Sequence, residues 1–221
     1  MEYRIKILAI SEVTHNVRSL RTEKPAGYSY KPGQATELSI NNPEWREQKR
    51  PFTFTSLEED PYLEFTIKCY SDHEGVTNAV RKLNVGDELL IGDTWGAIEY
   101  KGPGYFIAGG AGITPFLAII RRLSKDGQLK GNRLIFSNRT VRDIIGEKEL
   151  AGMLGEDAIF LTTDEPGDNR INGFIDKAFI EHNITDFTGH FYVCGPEKMV
   201  SDIQNILQEL GANPDSVIFE K

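Results

Sequence analysis

A glycine-rich turn between an apolar run and a helical pattern constrains the fold of this chain more than any other feature. The apolar run Tyr105–Ala108 is followed by the sequence GGAGITP over Gly109–Pro115, and then by an apolar-periodic segment over 116–123. This order predicts a buried strand, a tight turn and a helix. The glycines allow the backbone to approach a bulky anion, to which the start of the helix presents its N–H groups. The turn is typical of a nucleotide-phosphate site, although any α/β protein can join a strand to a helix in this way.

The residues after this turn continue the same alternation of strands and helices. Pro115 stands where the third glycine of G-x-G-x-x-G would fall, so the turn is not that dinucleotide fingerprint. Strand-like runs occur at 105–108, 133–136, 158–161, 191–193 and 217–219, and helical patterns at 115–124, 147–154 and 197–210. Alternation of this kind predicts a parallel sheet covered by helices on both faces.

The first hundred residues have a different pattern. Strand-like segments separated by Gly, Pro, Asn and Asp clusters occur at 3–13, 34–40, 51–56, 62–69 and 88–91, with one short helical segment near 77–83. Short strands at this spacing predict a small antiparallel barrel. The stretch Lys101–Gly104 contains two glycines and a proline and is the best candidate for a linker. We therefore predict a barrel domain over 1–101 and an α/β domain over 104–221.

Composition excludes several classes of protein. The chain has 221 residues, of which 39% are hydrophobic, as in a folded, soluble protein. It has no run of about 18 apolar residues and no signal-peptide pattern, which predicts a cytoplasmic protein without membrane insertion. A net charge of −8 with scattered Lys and Arg argues against a nucleic-acid partner. The two cysteines and four histidines show no metal-ligand spacing, so we predict no metal or iron–sulfur site.

The segment Arg50-Pro51-Phe52-Thr53 is a second candidate for cofactor binding. An arginine, an aromatic ring and a hydroxyl on one strand suit a flat cofactor that carries phosphate, because the guanidinium can pair with a diphosphate. In a strand, Arg50 and Phe52 share one face and Thr53 points to the other. The alternative is an ordinary strand in which Phe52 and Phe54 are core residues of one face.

Two further segments have the composition of binding sites. Gly75-Val76-Thr77 opens the short predicted helix and can present N–H groups to a phosphate, or can be a plain helix start. Cys194-Gly195-Pro196 follows a predicted parallel strand, at the sheet edge where ligands bind in open α/β sheets. The alternative for Cys194 is a buried thiol that acts as a small hydrophobic residue.

In this order, the four segments resemble the motifs of the ferredoxin–NADP reductase superfamily, and in particular its compact bacterial flavin and flavodoxin/ferredoxin reductases. Arg50-Pro51-Phe52-Thr53 is similar to the family motif R-x-[YF]-[ST], with phenylalanine in place of the commoner tyrosine. Gly75-Val76-Thr77 resembles the flavin-phosphate motif, Gly110–Pro115 the nicotinamide-nucleotide motif, and Cys194-Gly195-Pro196 the C-G-P motif. The resemblance covers nearly the whole chain. It implies a six-stranded antiparallel barrel that binds flavin, followed by a five-stranded parallel α/β sandwich that binds NAD(P)H.

The resemblance also implies roles for individual residues. Arg50 would hold the flavin diphosphate, Phe52 would pack on the flavin, and Thr53 would hydrogen-bond near its N5. Cys194 would lie beside the nicotinamide, and Glu220 matches a carboxylate that relatives keep near the flavin, so Thr53, Cys194 and Glu220 are the expected catalytic residues. The expected cofactor-binding residues are Arg50, Pro51, Phe52, Thr53, Ile67, Lys68, Gly75, Val76, Thr77, Gly110, Gly112, Ile113, Thr114, Pro115, Ser137, Arg139, Cys194, Gly195, Pro196 and Phe219.

The choice between NADPH and NADH depends on the segment after the second strand of the parallel sheet. Ser137 and Arg139 could bind the 2′-phosphate of NADPH, with Arg142 as a second basic candidate. Asp143 could instead prefer the ribose hydroxyls of NADH, and both arginines could simply be solvated. The sequence leaves both nucleotides open, with a slight preference for NADPH.

The resemblance implies an NAD(P)H-dependent flavoprotein oxidoreductase. A hydride would pass from NAD(P)H to bound FAD, rather than FMN, and electrons would continue to an external carrier, flavodoxin or ferredoxin. The alternative is a flavin- and nucleotide-binding electron-transfer subunit that works only inside a larger complex.

Overall fold

The computed structural model describes residues 1–70, 74–96, 98–165 and 171–219. Two six-stranded sheets follow one another along the chain. No helix in these four ranges is long and apolar enough to cross a membrane.

The first sheet is antiparallel throughout. Its strands are β1 (Tyr3–Thr14), β2 (Val17–Glu23), β3 (Ala35–Ile40), β4 (Arg50–Thr53), β5 (Tyr62–Lys68) and β6 (Glu88–Trp95). The order across the sheet is β4-β3-β6-β1-β2-β5, and a bridge between Phe54 and Phe65 joins the β4 side to β5. The sheet encloses a core that includes Leu20, Phe54 and Phe65, each with no exposed surface, and the short helix α1 (Val76–Val80) packs on it. This confirms the predicted barrel-like antiparallel half, including a sixth strand, β2, that the sequence patterns did not locate.

The second sheet is parallel throughout. Its strands are β7 (Gly104–Gly109), β8 (Arg133–Asn138), β9 (Ala158–Thr162), β10 (Ile171–Asn172), β11 (His190–Cys194) and β12 (Val217–Phe219), in the order β10-β9-β8-β7-β11-β12. Its helices are α2 (Thr114–Lys125), α3 (Glu147–Leu154), α4 (Lys177–Asn183) and α5 (Glu197–Glu209). The predicted α/β sandwich is confirmed, with the two-residue β10 as an additional edge strand.

Successive residues of the parallel strands point to opposite faces, and each face has its own apolar core. Phe106 packs in a cluster with Phe116 of α2, whereas its neighbour Ile107 belongs to a cluster with Ile203 of α5. Burial of both faces explains why these strands read as continuous apolar runs in the sequence. Because both faces of the sheet are covered, the carboxyl ends of its strands form the open edge at which a ligand can bind.

The segment between the two sheets is held by a buried tyrosine of the second sheet. The Tyr192 hydroxyl accepts hydrogen bonds from the backbone N–H groups of Lys101 (2.9 Å) and Gly102 (3.1 Å), and donates to the Gly102 carbonyl (2.8 Å). Val17 and Ile98 pack into the apolar core under α2, so that core includes residues from both sides of this segment. The domain limits at 101 and 104 stay a prediction. The segment between them is hydrogen-bonded to the second sheet through Tyr192.

Candidate functional site

The glycine-rich turn lies where the sequence placed it, between β7 and α2. Residues Gly110–Ile113 form one short 3-10 turn, and α2 begins at Thr114 with Pro115 in its first turn. Gly110 has φ +53°, a left-handed conformation that favours glycine. The Thr114 hydroxyl donates to the Ala111 carbonyl at 3.0 Å and braces the turn. No described side chain caps the start of α2, and the Thr114 N–H donates back to the Ala111 carbonyl of the turn.

The turn is in direct contact with the segment Cys194-Gly195-Pro196, although Gly112 and Cys194 are 82 positions apart in the chain. A Cβ on Gly112 would lie 2.3 Å from the Cys194 carbonyl oxygen and 2.6 Å from the Gly195 nitrogen. A Cβ on Gly195 would in turn lie 3.1 Å from the Gly109 Cα. Glycine is needed at these positions because two backbone segments touch there. The two motifs thus form one continuous backbone surface.

A pocket of about 710 Å³ opens over this edge of the parallel sheet. It lies beside the turn at Gly109 and Gly110 and extends across the ends of β8, β9 and β11. Five of the predicted cofactor-binding residues line it: Lys68, Gly110, Ser137, Arg139 and Pro196. Lys68 is the last residue of β5, so the antiparallel sheet contributes a wall to a pocket built mainly by the parallel sheet.

Other residues that line the pocket were missed in the sequence. They are Asn138, Thr163, Phe174, Ile175, Asp176, Lys198, Met199, Asp202, Asn205 and Ile206. Phe174 is 73% exposed, which is unusual for a large aromatic side chain and suits a face on which a planar base can stack. Together with Ile175, Met199 and Ile206 it supplies the apolar contacts of the pocket. The sequence offers one signal for some of these residues, which is their position: Thr163 and the residues after Cys194 directly follow parallel strands.

The basic residue proposed for the 2′-phosphate is already engaged. The Arg139 Nε donates to Asp164 Oδ2 at 2.7 Å, and this hydrogen bond raises the pKa of Arg139. The pKa of Asp164 is lowered by a hydrogen bond from Thr163 and by Arg139. Asp143, also at the pocket, accepts hydrogen bonds from the Thr140 N–H (3.0 Å) and hydroxyl (2.5 Å). The pocket edge near Arg139 therefore carries fixed carboxylates.

The segment Arg50–Thr53 forms the edge strand β4 of the antiparallel sheet. The Arg50 side chain is exposed, and Phe52 is half-buried against the cluster that contains Phe54, as the core-residue alternative predicted. Thr53, by contrast, is only 8% exposed and pairs with Ala35. An exposed guanidinium and a partly open aromatic ring on an edge strand fit a flat, phosphate-bearing cofactor, but contact with one stays a prediction.

The remaining predicted residues fall into three groups. Gly75 precedes the five-residue α1, with Val76 buried and Thr77 half-buried, so phosphate binding there stays a prediction. The Ile67 side chain is 1% exposed inside the barrel core, which leaves only its backbone for a cofactor contact.

The third group lies at two strand ends of the parallel sheet. Cys194 ends β11, is 8% exposed and packs in the core under α2. Phe219 ends β12, and Glu220 lies outside the described residues.

Comparison with known proteins matches both halves of the chain. Residues 2–89 match the family model described as "FAD-binding domain", and residues 106–205 match the "Oxidoreductase NAD-binding domain". The reductase component of propane 2-monooxygenase from Rhodococcus jostii is 28% identical over all of this chain, which spans 63% of that protein. NADH-cytochrome b5 reductase 2-A from Vanderwaltozyma polyspora is 28% identical over 96% of this chain and 82% of its own length.

Solved structures share the fold. A ferredoxin NADP+ reductase from Neisseria gonorrhoeae, with bound FAD and NADP, has a TM-score of 0.87 and 21% identity, and the match covers 99% of this chain and 98% of that one. The chain spans less than two thirds of the length of the first curated relatives that it matches.

Proposed function

We propose that the chain, whose two halves match the FAD-binding and oxidoreductase NAD-binding family models, is a flavoprotein oxidoreductase of the ferredoxin–NADP reductase superfamily that passes a hydride from NAD(P)H to bound FAD and electrons onward to an external acceptor. One observation carries the proposal most strongly. The pocket over the parallel sheet is lined both by the glycine turn at Gly110 and by Lys68 of the antiparallel sheet. A nucleotide bound there would lie against the half of the chain that matches the FAD-binding model.

The residues of the chain supply binding and alignment in this proposal. Bound FAD and NAD(P)H provide the redox chemistry itself. Arg50 would hold the diphosphate of the flavin cofactor, Phe52 would pack on its ring, and Thr53 would donate a hydrogen bond near the ring. The glycine turn, fixed against Cys194 by backbone contact, holds the pyrophosphate of the nucleotide at the start of α2. Cys194 would lie beside the nicotinamide. Alignment of this kind accounts for a large part of the rate of such reactions.

The structure favours NADH as the co-substrate, which reverses the preference for NADPH drawn from the sequence. Arg139 is the predicted partner of a 2′-phosphate, but its Nε already donates to Asp164 at 2.7 Å, and this carboxylate offsets the charge that a phosphate would meet. Asp143, Asp176 and Asp202 line the same pocket and balance Lys68, Lys198 and Arg139, so the pocket has no surplus positive charge for a second phosphate group.

Asp164→Asn tests this preference because it frees Arg139 and removes one negative charge. We expect the ratio of kcat/KM for NADPH to that for NADH to rise about fivefold, because a single exposed charge-assisted contact has a small effect. Steady-state kinetics with both nucleotides measure the ratio, and Asp202→Asn shows whether any lost carboxylate has the same effect. An unchanged ratio in Asp164→Asn would reject the pairing of Arg139 as the basis of the preference.

The external acceptor is proposed to be a protein that accepts single electrons. Relatives include reductase components of oxygenase systems and cytochrome b5 reductases, and the sequence predicts no iron–sulfur site. Ferredoxin or flavodoxin is the proposed carrier. The second candidate is a subunit that turns over only inside a larger complex. We retain it because the chain spans only 63% of the length of the propane 2-monooxygenase reductase component. Dye-reductase activity in a free monomer or dimer on size-exclusion chromatography would favour the independent enzyme.

The central experiment is direct. The purified protein should be yellow, and NADH added without oxygen should bleach its visible flavin absorbance. Arg50→Ala should lose flavin on dialysis, while Arg46→Ala, a nearby exposed arginine, should keep it. A colourless protein that neither takes up added FAD nor oxidises either nucleotide with a dye acceptor would refute the proposed function.

A further inference from the structure

A single, largely buried guanidinium connects the two halves of the molecule. Arg121 lies on α2, and its Nη1 donates to the Thr55 carbonyl oxygen at 2.5 Å and to Glu64 Oε1 at 2.9 Å, both in the N-terminal half. Its Nε and Nη2 donate to the two carboxylate oxygens of Glu149 on α3, at 2.6 and 2.9 Å. One planar side chain therefore ties the antiparallel sheet to two helices of the parallel sheet. Arginine suits this role because its donors lie in a rigid fork.

The acceptor on the antiparallel sheet is itself fixed. Glu64 is 6% exposed, and besides Arg121 it accepts hydrogen bonds from Arg21 Nε at 3.0 Å and from the Thr55 hydroxyl at 3.1 Å. Burial acts to raise the pKa of Glu64, but the charge and hydrogen bonds of Arg121, with those of Arg21 and Thr55, lower it overall. Glu64 is thus a carboxylate held in place by groups on several elements.

The position of Arg121 relates this connection to the proposed site. Helix α2 begins at Thr114, directly after the glycine turn, and Arg121 follows seven residues later, about 10 Å along the helix axis. On the other side, Thr55 stands two residues after Thr53 in the segment that begins with Arg50. Arg121 therefore joins the helix that carries the proposed nucleotide turn to the segment that carries the proposed flavin residues.

We infer that Arg121 is a positioning residue that sets the distance and angle between nucleotide and flavin, an inference that rests on the proposed function. Hydride transfer depends steeply on the distance between the reacting atoms. Arg121 touches neither cofactor in this view and acts by fixing α2 against Thr55 and Glu64.

A neighbouring set of ion pairs provides a control. Arg122 and Lys125, also on α2, pair with Glu59 in the loop between β4 and β5. These pairs also link the two halves, and Arg122 is about as exposed as Arg121 (30% against 26%), but the Glu59 side chain is 38% exposed, whereas that of Glu64, the acceptor of Arg121, is 7% exposed. Exposed pairs hold their partners weakly, so they are not expected to fix the geometry.

The experiment compares Arg121→Met/Glu64→Gln with Arg122→Met and the unmodified protein. The double variant is used because Arg121→Met alone would leave the buried Glu64 carboxylate with only the exposed Arg21 as its charged partner and could fail to fold. Flavin content, the Kd for NADH and the stopped-flow rate of flavin reduction at saturating NADH are measured on each. Calorimetry of the flavin-free proteins gives a readout that does not depend on activity.

We expect the double variant to retain flavin and NADH affinity but to reduce its flavin roughly 10- to 100-fold more slowly at saturating NADH. Its calorimetric unfolding should become less cooperative because one of the connections between the halves is lost, whereas Arg122→Met should match the unmodified protein in both readouts. A normal reduction rate, or a slower rate fully explained by weaker NADH or flavin binding, would overturn the positioning role. Failure of the proposed function is a different result, in which the unmodified protein itself shows no flavin reduction.

Discussion

Gly112→Ala should destabilise this protein through one atom. The added Cβ would lie 2.3 Å from the Cys194 carbonyl oxygen and 2.6 Å from the Gly195 nitrogen. Both contacts are with backbone atoms at the end of β11, which cannot rotate away as a flexible side chain would. The clash must be relieved by moving the turn or the strand end, and overpacking of this kind typically costs about 1–3 kcal/mol.

The rigidity of both partners places the expected cost near the upper end of that range, about 3 kcal/mol. For a chain of this length, 1 kcal/mol changes Tm by about 2–4 °C, so we expect Tm to fall by roughly 6–12 °C. Because ligand binding shifts Tm, the measurement is calorimetry at one fixed concentration of FAD and without NADH. Displacement of the turn should also weaken NADH binding, which titration of the same samples measures.

Gly152→Ala is the matched control. Gly152 lies inside α3, and a Cβ there meets no heavy atom within 4 Å. The same glycine-to-alanine change should stabilise the protein by about 0.5–1 kcal/mol, because alanine is the better helix former. The two variants should therefore change the free energy of unfolding in opposite directions, because only the Cβ at Gly112 meets other atoms. A Gly112→Ala protein that melts at or above the unmodified Tm would refute the contact between the two motifs.

Two further predictions concern acid stability and the cysteine. Glu64 has its pKa lowered below the ordinary value of 4.5, so its contribution to stability is present above that pH and is lost as the pH falls through the folded pKa. Tm measured against pH should therefore drop more steeply for the unmodified protein than for Glu64→Gln below pH 4.5, and parallel curves would contradict this. Cys194→Ala should keep its flavin and slow flavin reduction in stopped-flow experiments. An unaltered rate would leave Cys194 as a buried core residue only.

The sequence predicted elements well where residues are buried on both faces. The parallel strands read as apolar runs because helices cover the sheet, and α3 was predicted with the bounds it has, Glu147–Leu154. Strand β2 was missed because its buried residues do not alternate regularly: Val17 and Leu20 are three residues apart and pack in different cores, and the buried Thr22 is polar. A shift of register in its pairing with β1 further disturbs the alternation.

Helix α4 and the adjacent pocket wall were missed for a different reason. Asp176 accepts a hydrogen bond from the Phe179 N–H at 2.8 Å and caps α4, a local signal that the sequence did offer. Phe174, just before that cap, has no such signal, because its importance comes from its exposure beside a pocket formed by distant residues. The hydrogen bond of Arg139 to Asp164, 25 residues away, also has no signal in the sequence, and it is one reason that we propose NADH rather than NADPH.

The contact between the two ligand motifs explains why their residue types go together. Gly112 must lack a side chain because the Cys194–Gly195 backbone lies against it, and Gly195 must lack one because Gly109 and Met199 occupy the space of its Cβ. A larger residue at either position would separate β11 from the turn, and the pocket wall would open. The glycine in each motif is therefore required for packing against the other motif, whether or not a ligand is bound. Backbone contact between neighbouring parallel strands β7 and β11 thus brings a glycine turn and a cysteine, distant in sequence, to one ligand-binding edge.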